Sequence, residues 1–112
     1  MNVLPENDSE RGDILLATCL FDYFPNACAA VAEHSKKSNE KHNPGTSPHW
    51  DRSKSTDHRN KIARHLVDAG YFDADRNRHS TALAWRALAN LEDELIAKGA
   101  TPGRNARNSP DG

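Results

Sequence analysis

The sequence contains few of the residues that build disulfide-rich or metal-bound small proteins. Its 112 residues include two cysteines, one methionine and 6% aromatic residues. Two cysteines cannot form a disulfide framework, and no second Cys or His pair accompanies them at the spacing of a structural zinc site. We therefore expect reduced thiols and a cytoplasmic location.

An excess of one charge and long apolar runs are also missing. Fifteen Lys and Arg against sixteen Asp and Glu give a net charge of -1, so the chain lacks the basic surplus that drives binding to nucleic acid. No segment reaches the roughly 20 apolar residues that a membrane span needs, and residues 1–11 lack a signal-peptide pattern. We expect no membrane partner, and the balanced charge disfavours nucleic acid.

Common catalytic signatures are absent as well. The chain has no phosphate loop, no dinucleotide fingerprint, no G-x-S-x-G elbow and no H-E-x-x-H motif, which removes most support for those reaction classes. The hydrophobic share is 36% and the charged share 28%, on the polar side for a small domain. Because so few residues are apolar, some helical faces are expected to be either exposed to solvent or buried against another chain. We therefore expect a homo-oligomer, either a dimer or a larger assembly.

Helical periodicity predicts an all-α domain, a small bundle of three main helices. The helices are expected at about 25–42, 57–69 and 79–98. Pro25 suits a first helical turn, and Gly70 supplies a left-handed stop. The third helix carries an apolar stripe with the spacing of a helical seam, formed by Ala84, Leu88, Leu91 and Leu95.

The remaining segments connect or flank these helices. Residues 1–13 are expected to be a flexible N-terminus, and residues 100–112 a disordered tail, because neither has enough apolar surface to offset ordering entropy. Residues 43–56 form a long Pro-, Gly- and Ser-rich loop. The apolar run at 14–24 is open between a strand, a short helix and a packed extended arm. The folded domain is expected to span 14–99.

Acidic side chains on neighbouring helices are how helical proteins hold Mg²⁺. Glu33 lies on the first helix, Asp68 near the end of the second, and Asp75 in the turn that follows. His65 precedes Asp68 by one helical turn, and a histidine there can accept a proton. Each of these residues also has a non-catalytic interpretation: the carboxylates can be surface charges or turn formers, and His65 can be a structural histidine.

Other side chains suit a nucleotide. Trp50 is an aromatic residue in a polar loop, where it can stack on a base or fasten the loop to the core. Lys41 and Arg64 can contact phosphate, Arg through its planar donor fork, and His79 opens the third helix near the acidic turn. A solvated charged face is the alternative for the basic residues.

Four segments together resemble the dATP/dGTP diphosphohydrolase family, which is often phage-encoded and similar to MazG-like all-α pyrophosphohydrolases. They read FDYFPNACAAVAEHSKKSNEKH, HW, KSTDHRNKIARHLVDAGYFDAD and RHSTALAWRALANLEDEL, and cover about residues 20–96. The matching elements, in order, are Pro25, Val31-Ala32-Glu33, Lys41, Trp50, Arg64-His65-Leu66, Asp75 and His79.

The resemblance implies hydrolysis of purine deoxynucleoside triphosphates, dATP and dGTP, to monophosphate and pyrophosphate, with Mg²⁺ or else Mn²⁺ as the metal. The reaction would take place in the host cytoplasm if the chain is phage-encoded. Glu33, Asp68 and Asp75 would hold the metal, with Glu33, His65 and Asp68 as catalytic residues. Lys41, Trp50, Arg64 and His79 would bind substrate. The usual E-E-x-x-E motif is missing, since Glu33 is followed by Lys36 and Lys37. A catalytically weak or inactive relative of the family is one alternative, and a non-enzymatic helical module of a phage that binds nucleotide or protein is another.

Overall fold

A computed structural model describes residues 2–108; residue 1 and residues 109–112, part of the predicted tail, lie outside the described residues. Within the described residues the protein is mostly helical, at 57%, with four α-helices and a small two-stranded sheet. The helices are α1 (Asp8–Gly12), α2 (Pro25–His42), α3 (His58–Val67) and α4 (His79–Ala97). The helical character is confirmed, and the expected count of three is corrected by the short helix α1.

Helix α2 has the predicted bounds because both ends carry strong local signals. Pro25 occupies the first turn, where its missing N–H needs no partner. At the other end, Asn43 leaves the helical region with φ -135° and ψ 59°, as expected for a residue that precedes a proline. Buried Asn39 donates a hydrogen bond to the Thr46 carbonyl at 3.2 Å, which fastens the loop to the end of the helix.

Helices α3 and α4 are slightly shorter than predicted. Asp57 adopts a left-handed φ of 57°, so it precedes α3, and its side chain makes no capping bond. The chain leaves α3 at Asp68, before Gly70 at φ +92°, a conformation that favours glycine. Helix α4 ends in the same manner, with Gly99 at φ +102°.

Residues 14–24 are helical in part. Ala17–Phe21 form a π-helical turn, in which the Asp22 amide donates to the Ala17 carbonyl at 2.8 Å. Of the three alternatives for this segment, a strand, a short helix and a packed extended arm, the structure shows a short helix. Upstream, α1 lies in the segment expected to be flexible, and the Asn7 side chain accepts a bond from the Glu10 amide at 3.1 Å, which caps the helix.

The long loop and the C-terminal segment pair with each other. Strand β1 (Trp50–Asp51) runs parallel to β2 (Ala106–Arg107), with Trp50 opposite Ala106. A 3₁₀ turn follows at Arg52–Lys54, capped by the Asp51 carboxylate, which accepts from the Ser53 amide at 3.0 Å. Strand β2 lies in the segment from residue 100 onward that the sequence predicts to be disordered, and its backbone is paired with the loop.

The helices pack around α4, which contacts α3 most extensively and α2 next. Ala89 of α4 is the one buried apolar residue among those described, and Asn39 and Asp51 are the buried polar ones. Within a single chain, the core is therefore thin, and most large apolar side chains remain partly exposed.

No single helix in the described residues is long and apolar enough to cross a membrane. One bent pair, Asp8–Phe21 with Pro25–His42 at 90°, meets the length and composition requirement when its members are taken together.

Candidate functional site

A polar groove lies between α2 and the loop that joins α3 to α4. It consists of two adjoining cavities of about 370 and 210 Å³ that share three lining residues. The shared residues are His34, Lys37 and Asn77. The groove is open, and its size suits a small polar ligand rather than a buried apolar one.

One wall of the groove is a single face of α2. His34, Lys37, Ser38 and Lys41 recur at three- and four-residue intervals along that helix and line the larger cavity. Residues at this spacing lie above one another on a helix. The sequence of α2 therefore places two ammonium groups and an imidazole along one side of the groove.

The other wall is a tight turn held by Asp73. Its carboxylate accepts hydrogen bonds from the amides of Asp75 and Asn77, both at 2.9 Å. The Asn77 bond is the largest cause of the lowered pKa of Asp73, and the Asp75 bond adds to it, although burial alone would raise that pKa. Arg76 takes a left-handed φ of 63°, which closes the turn. Asp73 is thus a fixed carboxylate at the groove.

The groove collects charges of both signs. Its cations are Lys37, Lys41, Arg76 and Arg78, and its carboxylates are Glu33, Asp73 and Asp75. Lys41 donates to Asp75 at 2.8 Å, and this hydrogen bond raises the pKa of Lys41. Lys37 contacts Glu33 at 3.1 Å. These pairs are exposed, so a phosphate group can compete for the ammonium ions at little cost.

Four histidines stand at or beside the groove, and two of them, His34 and His42, line it. His65 Nδ1 and His79 Nδ1 lie 3.0 Å apart, so one nitrogen must donate and the other accept. Burial and the neighbouring charges of His79 and Arg86 lower the pKa of His65. Burial also lowers the pKa of His34, with Arg86 adding to the effect and Asp73 opposing it. Neutral imidazoles at pH 7 can accept a proton.

The predicted site residues divide into two groups. Glu33, Lys41 and Asp75 line the groove, and His79 begins α4 directly after Arg78 of the groove, with His65 bonded to it. The structure thus brings Glu33, Lys41 and Asp75 to one groove and pairs His65 with His79 outside its lining. Arg64 and Asp68 lie on the exposed end of α3, and neither lines the groove.

Trp50 lies elsewhere. Its ring meets Trp85 of α4 edge to face, with centroids 5.8 Å apart, and its Nε1–H donates to Ser55 Oγ at 2.8 Å. The ring contact fastens the long loop to α4, and the hydrogen bond to Ser55 lies within the loop. The arrangement favours the alternative of a packed loop over stacking on a base.

Comparison of the chain with known protein families, with curated proteins and with solved structures gives no match.

The donor set accommodates Mg²⁺ only in part. No group of three or more His, Cys, Asp or Glu side chains converges on one point within residues 2–108. Mg²⁺ is nevertheless commonly held by one or two carboxylates together with phosphate oxygens and water. Asp75 and Glu33 are exposed at the groove and fit that loose arrangement, whereas Asp68 is outside it.

Four basic residues that complete the groove were not predicted as site residues from the sequence. His34, Lys37, Arg76 and Arg78 all line it. The signal for two of them was present, because His34 and Lys37 share the α2 face of Lys41 by helical spacing. Arg76 and Arg78 had no such signal, since their positions depend on the turn around Asp73.

A second polar cluster joins the long loop to α3 and α4. The Asp93 carboxylate accepts from Arg52 Nε at 2.9 Å and from His58 Nε2 at 2.8 Å. With Nε2–H donating, His58 Nδ1 is left as the acceptor that faces Arg86 Nη1 at 3.5 Å. The side chains of Arg52, His58 and Asp93 are largely shielded from solvent. The cluster explains how the loop is positioned.

Proposed function

We propose that the chain is a Mg²⁺-dependent nucleotide pyrophosphohydrolase whose substrate lies in the groove between α2 and the turn at residues 72–78. The observation that carries the proposal is the lining of that groove, in which four cations and three carboxylates face one cavity system. A triphosphate needs both, because cations neutralise its oxygens while carboxylates hold the metal that accompanies it. The preference for dATP and dGTP comes from the family resemblance.

The basic residues would hold the phosphates. Lys37 and Lys41 on one wall, with Arg76 and Arg78 on the other, can contact a phosphate chain that lies between them. Arg78 lies over the exposed ring of Phe72, 4.7 Å from its centroid. Phe72 is therefore a candidate surface for the base, in place of Trp50.

The carboxylates and histidines would serve the chemical step. Asp75 and Glu33 would hold Mg²⁺, which when bound neutralises phosphate charge and acidifies water. His34 lines both cavities, and its lowered pKa leaves it neutral and able to accept a proton from the attacking water. His65 is bonded to His79 and interacts electrostatically with His34, so it is a second candidate proton acceptor.

The test is pyrophosphate release from a panel of deoxynucleoside and nucleoside triphosphates with Mg²⁺, with Mn²⁺ and with a chelator. We expect metal-dependent release from dATP and dGTP. The variant Asp75→Asn should lose at least about 10-fold of the rate, since even outer partners of a metal site contribute that much. Glu40→Gln is the matched control, because Glu40 pairs with Lys36 on α2 but does not line the groove.

A second candidate is a module that binds nucleotide without hydrolysing it. It is favoured by the ion pairs of two groove carboxylates, Asp75 with Lys41 and Glu33 with Lys37, and by the lack of three converging donors among the described residues. Calorimetric binding of dGTP that Lys41→Ala weakens, without pyrophosphate release by the unmodified protein, would select this candidate over the enzyme.

A further inference from the structure

Two histidines from different helices meet beside the groove. His65 lies on α3, and His79, 14 residues later, begins α4. Their Nδ1 atoms are 3.0 Å apart and their ring centroids 5.3 Å apart, with the ring planes inclined by 40°. We call these two residues the histidine pair. Neither lines the groove, so the pair is separate from the carboxylates proposed to hold Mg²⁺.

The backbone between the two helices holds the histidine pair in place. The His79 amide donates to the Tyr71 carbonyl at 3.1 Å, and Phe72 forms an antiparallel bridge with Arg78. These bonds close the connection that joins α3 to α4. The two helices also share the most extensive contact of the fold. The distance between the imidazoles is therefore set by backbone hydrogen bonds and helix packing as well as by the side chains.

The separation of the two nitrogens fits two ligands of one metal ion. Histidine nitrogens bind Zn²⁺ at about 2.0–2.1 Å, which places two of them roughly 3.3 Å apart in a tetrahedral site. At the right angles of a tetragonal Cu²⁺ or Ni²⁺ site, a similar bond length places them roughly 2.9 Å apart. The observed 3.0 Å lies between these values. Small rotations about χ2, a broad torsion in histidine, can turn both lone pairs toward one ion.

The protonation of the pair is compatible with a metal. Burial lowers the pKa of His65, and the neighbouring charges of His79 and Arg86 lower it further, so few protons compete for its nitrogen at pH 7. In the hydrogen-bonded pair, one Nδ1 carries a hydrogen. When both neutral rings bind an ion through Nδ1, that hydrogen moves to Nε2 of the same ring, and no proton leaves the protein.

Charged groups of both signs surround the pair. The Asp73 carboxylate interacts electrostatically with His79 and favours a dication, whereas the guanidinium groups of Arg64 and Arg86 interact with His65 and oppose one. The local charges therefore do not attract dications in general. Affinity must come from the two metal–nitrogen bonds, so it should follow the preference of each ion for imidazole.

We propose that the histidine pair is a binding site for a divalent transition-metal ion, Ni²⁺, Cu²⁺ or Zn²⁺, held by the two Nδ1 atoms. Imidazole suits these ions, whereas Mg²⁺ prefers oxygen ligands. Both side chains are half-buried, so water can fill the remaining positions of the ion. No third His, Cys, Asp or Glu converges with them within residues 2–108, and the site is thus weaker than a structural zinc site. The proposal does not depend on the hydrolase activity.

The test is calorimetric titration with Ni²⁺, in an excess of Mg²⁺, of the unmodified protein and three variants. His65→Gln and His79→Gln each remove one ligand. His49→Gln is the matched control, because His49 is a half-buried histidine of the long loop whose Nδ1 lies 2.9 Å from the Ser47 carbonyl oxygen. Circular dichroism reports whether each variant keeps its helices.

The unmodified protein and His49→Gln are expected to bind one Ni²⁺ per chain, and Cu²⁺ more tightly than Ni²⁺. His65→Gln and His79→Gln should each bind Ni²⁺ at least about 10-fold more weakly, since even outer partners of a metal site contribute that much. No binding of Ni²⁺ by the unmodified protein, or binding that survives both substitutions, would overturn the proposal. Failure of the chain to hydrolyse nucleotides would leave this result unaffected.

Nuclear magnetic resonance decides the matter if a variant fails to fold. In the unmodified protein, Cu²⁺ at less than one equivalent should broaden the imidazole resonances of His65 and His79 before those of His42, His49 and His58. Earlier broadening of His42, which lines the groove, would place the ion there and contradict the proposal. Equal broadening of all five would show binding without a specific site and would contradict it as well.

Discussion

Replacing Asp93 by alanine should destabilise the protein far more than removing an exposed carboxylate. Asp93 accepts bonds from Arg52 and His58 at 2.9 and 2.8 Å, and the three side chains are 27%, 15% and 12% exposed. Burial alone would raise the pKa of Asp93, but the bonds and charges of His58 and Arg52 outweigh it, and the pKa is lowered. The carboxylate therefore stabilises the folded state.

The magnitude follows from the two donors left without a partner. Hydrogen bonds to charged groups contribute about 1.5–3 kcal/mol each, and breaking a buried ion pair costs about 3–5 kcal/mol. Because Asp93 is partly solvated, we expect a loss of about 3 kcal/mol, reduced by a few tenths through the higher helix propensity of alanine. Urea unfolding at one fixed chain concentration measures it, since dimerisation would make stability depend on concentration.

Glu40→Ala is the control for this prediction. Glu40 pairs with Lys36 at 3.2 Å on α2, with both side chains more than 60% exposed, so its removal should change stability by no more than about 0.5 kcal/mol. A loss below about 1 kcal/mol for Asp93→Ala would refute the reasoning, because a shielded two-donor carboxylate would then contribute no more than a surface pair.

Three further predictions concern pH, the loop and a turn. The pKa values of His34 and His65 are lowered on folding, so the unfolded chain binds more protons near its own pKa of about 6.5. The stabilisation that the two neutral imidazoles provide is thus complete above that pH and lost as the pH falls below it. The urea midpoints at pH 5 and pH 7 should therefore differ less in His65→Gln than in the unmodified protein. An unchanged difference would show that His65 does not cause the pH dependence. Trp50→Ala removes the contacts with Trp85 and Ser55 and should cost about 2–3 kcal/mol in the same assay; a neutral result would mean that the loop is not fastened by this ring. Gly70→Ala should cost about 1–2 kcal/mol through its positive φ alone, since no atom lies within 4 Å of the added Cβ; a stabilised variant would contradict the left-handed turn.

Local signals were enough to predict the three long helices, α2, α3 and α4, but not the short helix α1. Pro25 and the Asn43-Pro44 step fix the ends of α2, and Gly70 follows the end of α3. The parallel pairing of Trp50–Asp51 with Ala106–Arg107 could not be predicted, because it joins two short segments far apart in sequence, neither with an alternating pattern.

The candidate site was predictable only in part. Helical spacing indicates that Lys41 shares a face with His34, but the partner wall depends on how the turn at Asp73 folds back. Conversely, Trp50 is an aromatic residue in a polar loop, which suggested that it could stack on a base, yet its ring contacts Trp85. Residue type in a loop shows which chemistry is available and not which surface the side chain meets.

The most direct test of the central claim is pyrophosphate release from dGTP by the unmodified protein, compared with Lys41→Ala and Lys36→Ala in Mg²⁺. Lys41 lines the groove and bonds to Asp75, whereas Lys36 on the same helix does not line it. We expect metal-dependent release that Lys41→Ala impairs at least about 10-fold and Lys36→Ala leaves unchanged. Release that responds equally to both variants, or no release with any nucleotide, would contradict a hydrolase site in this groove.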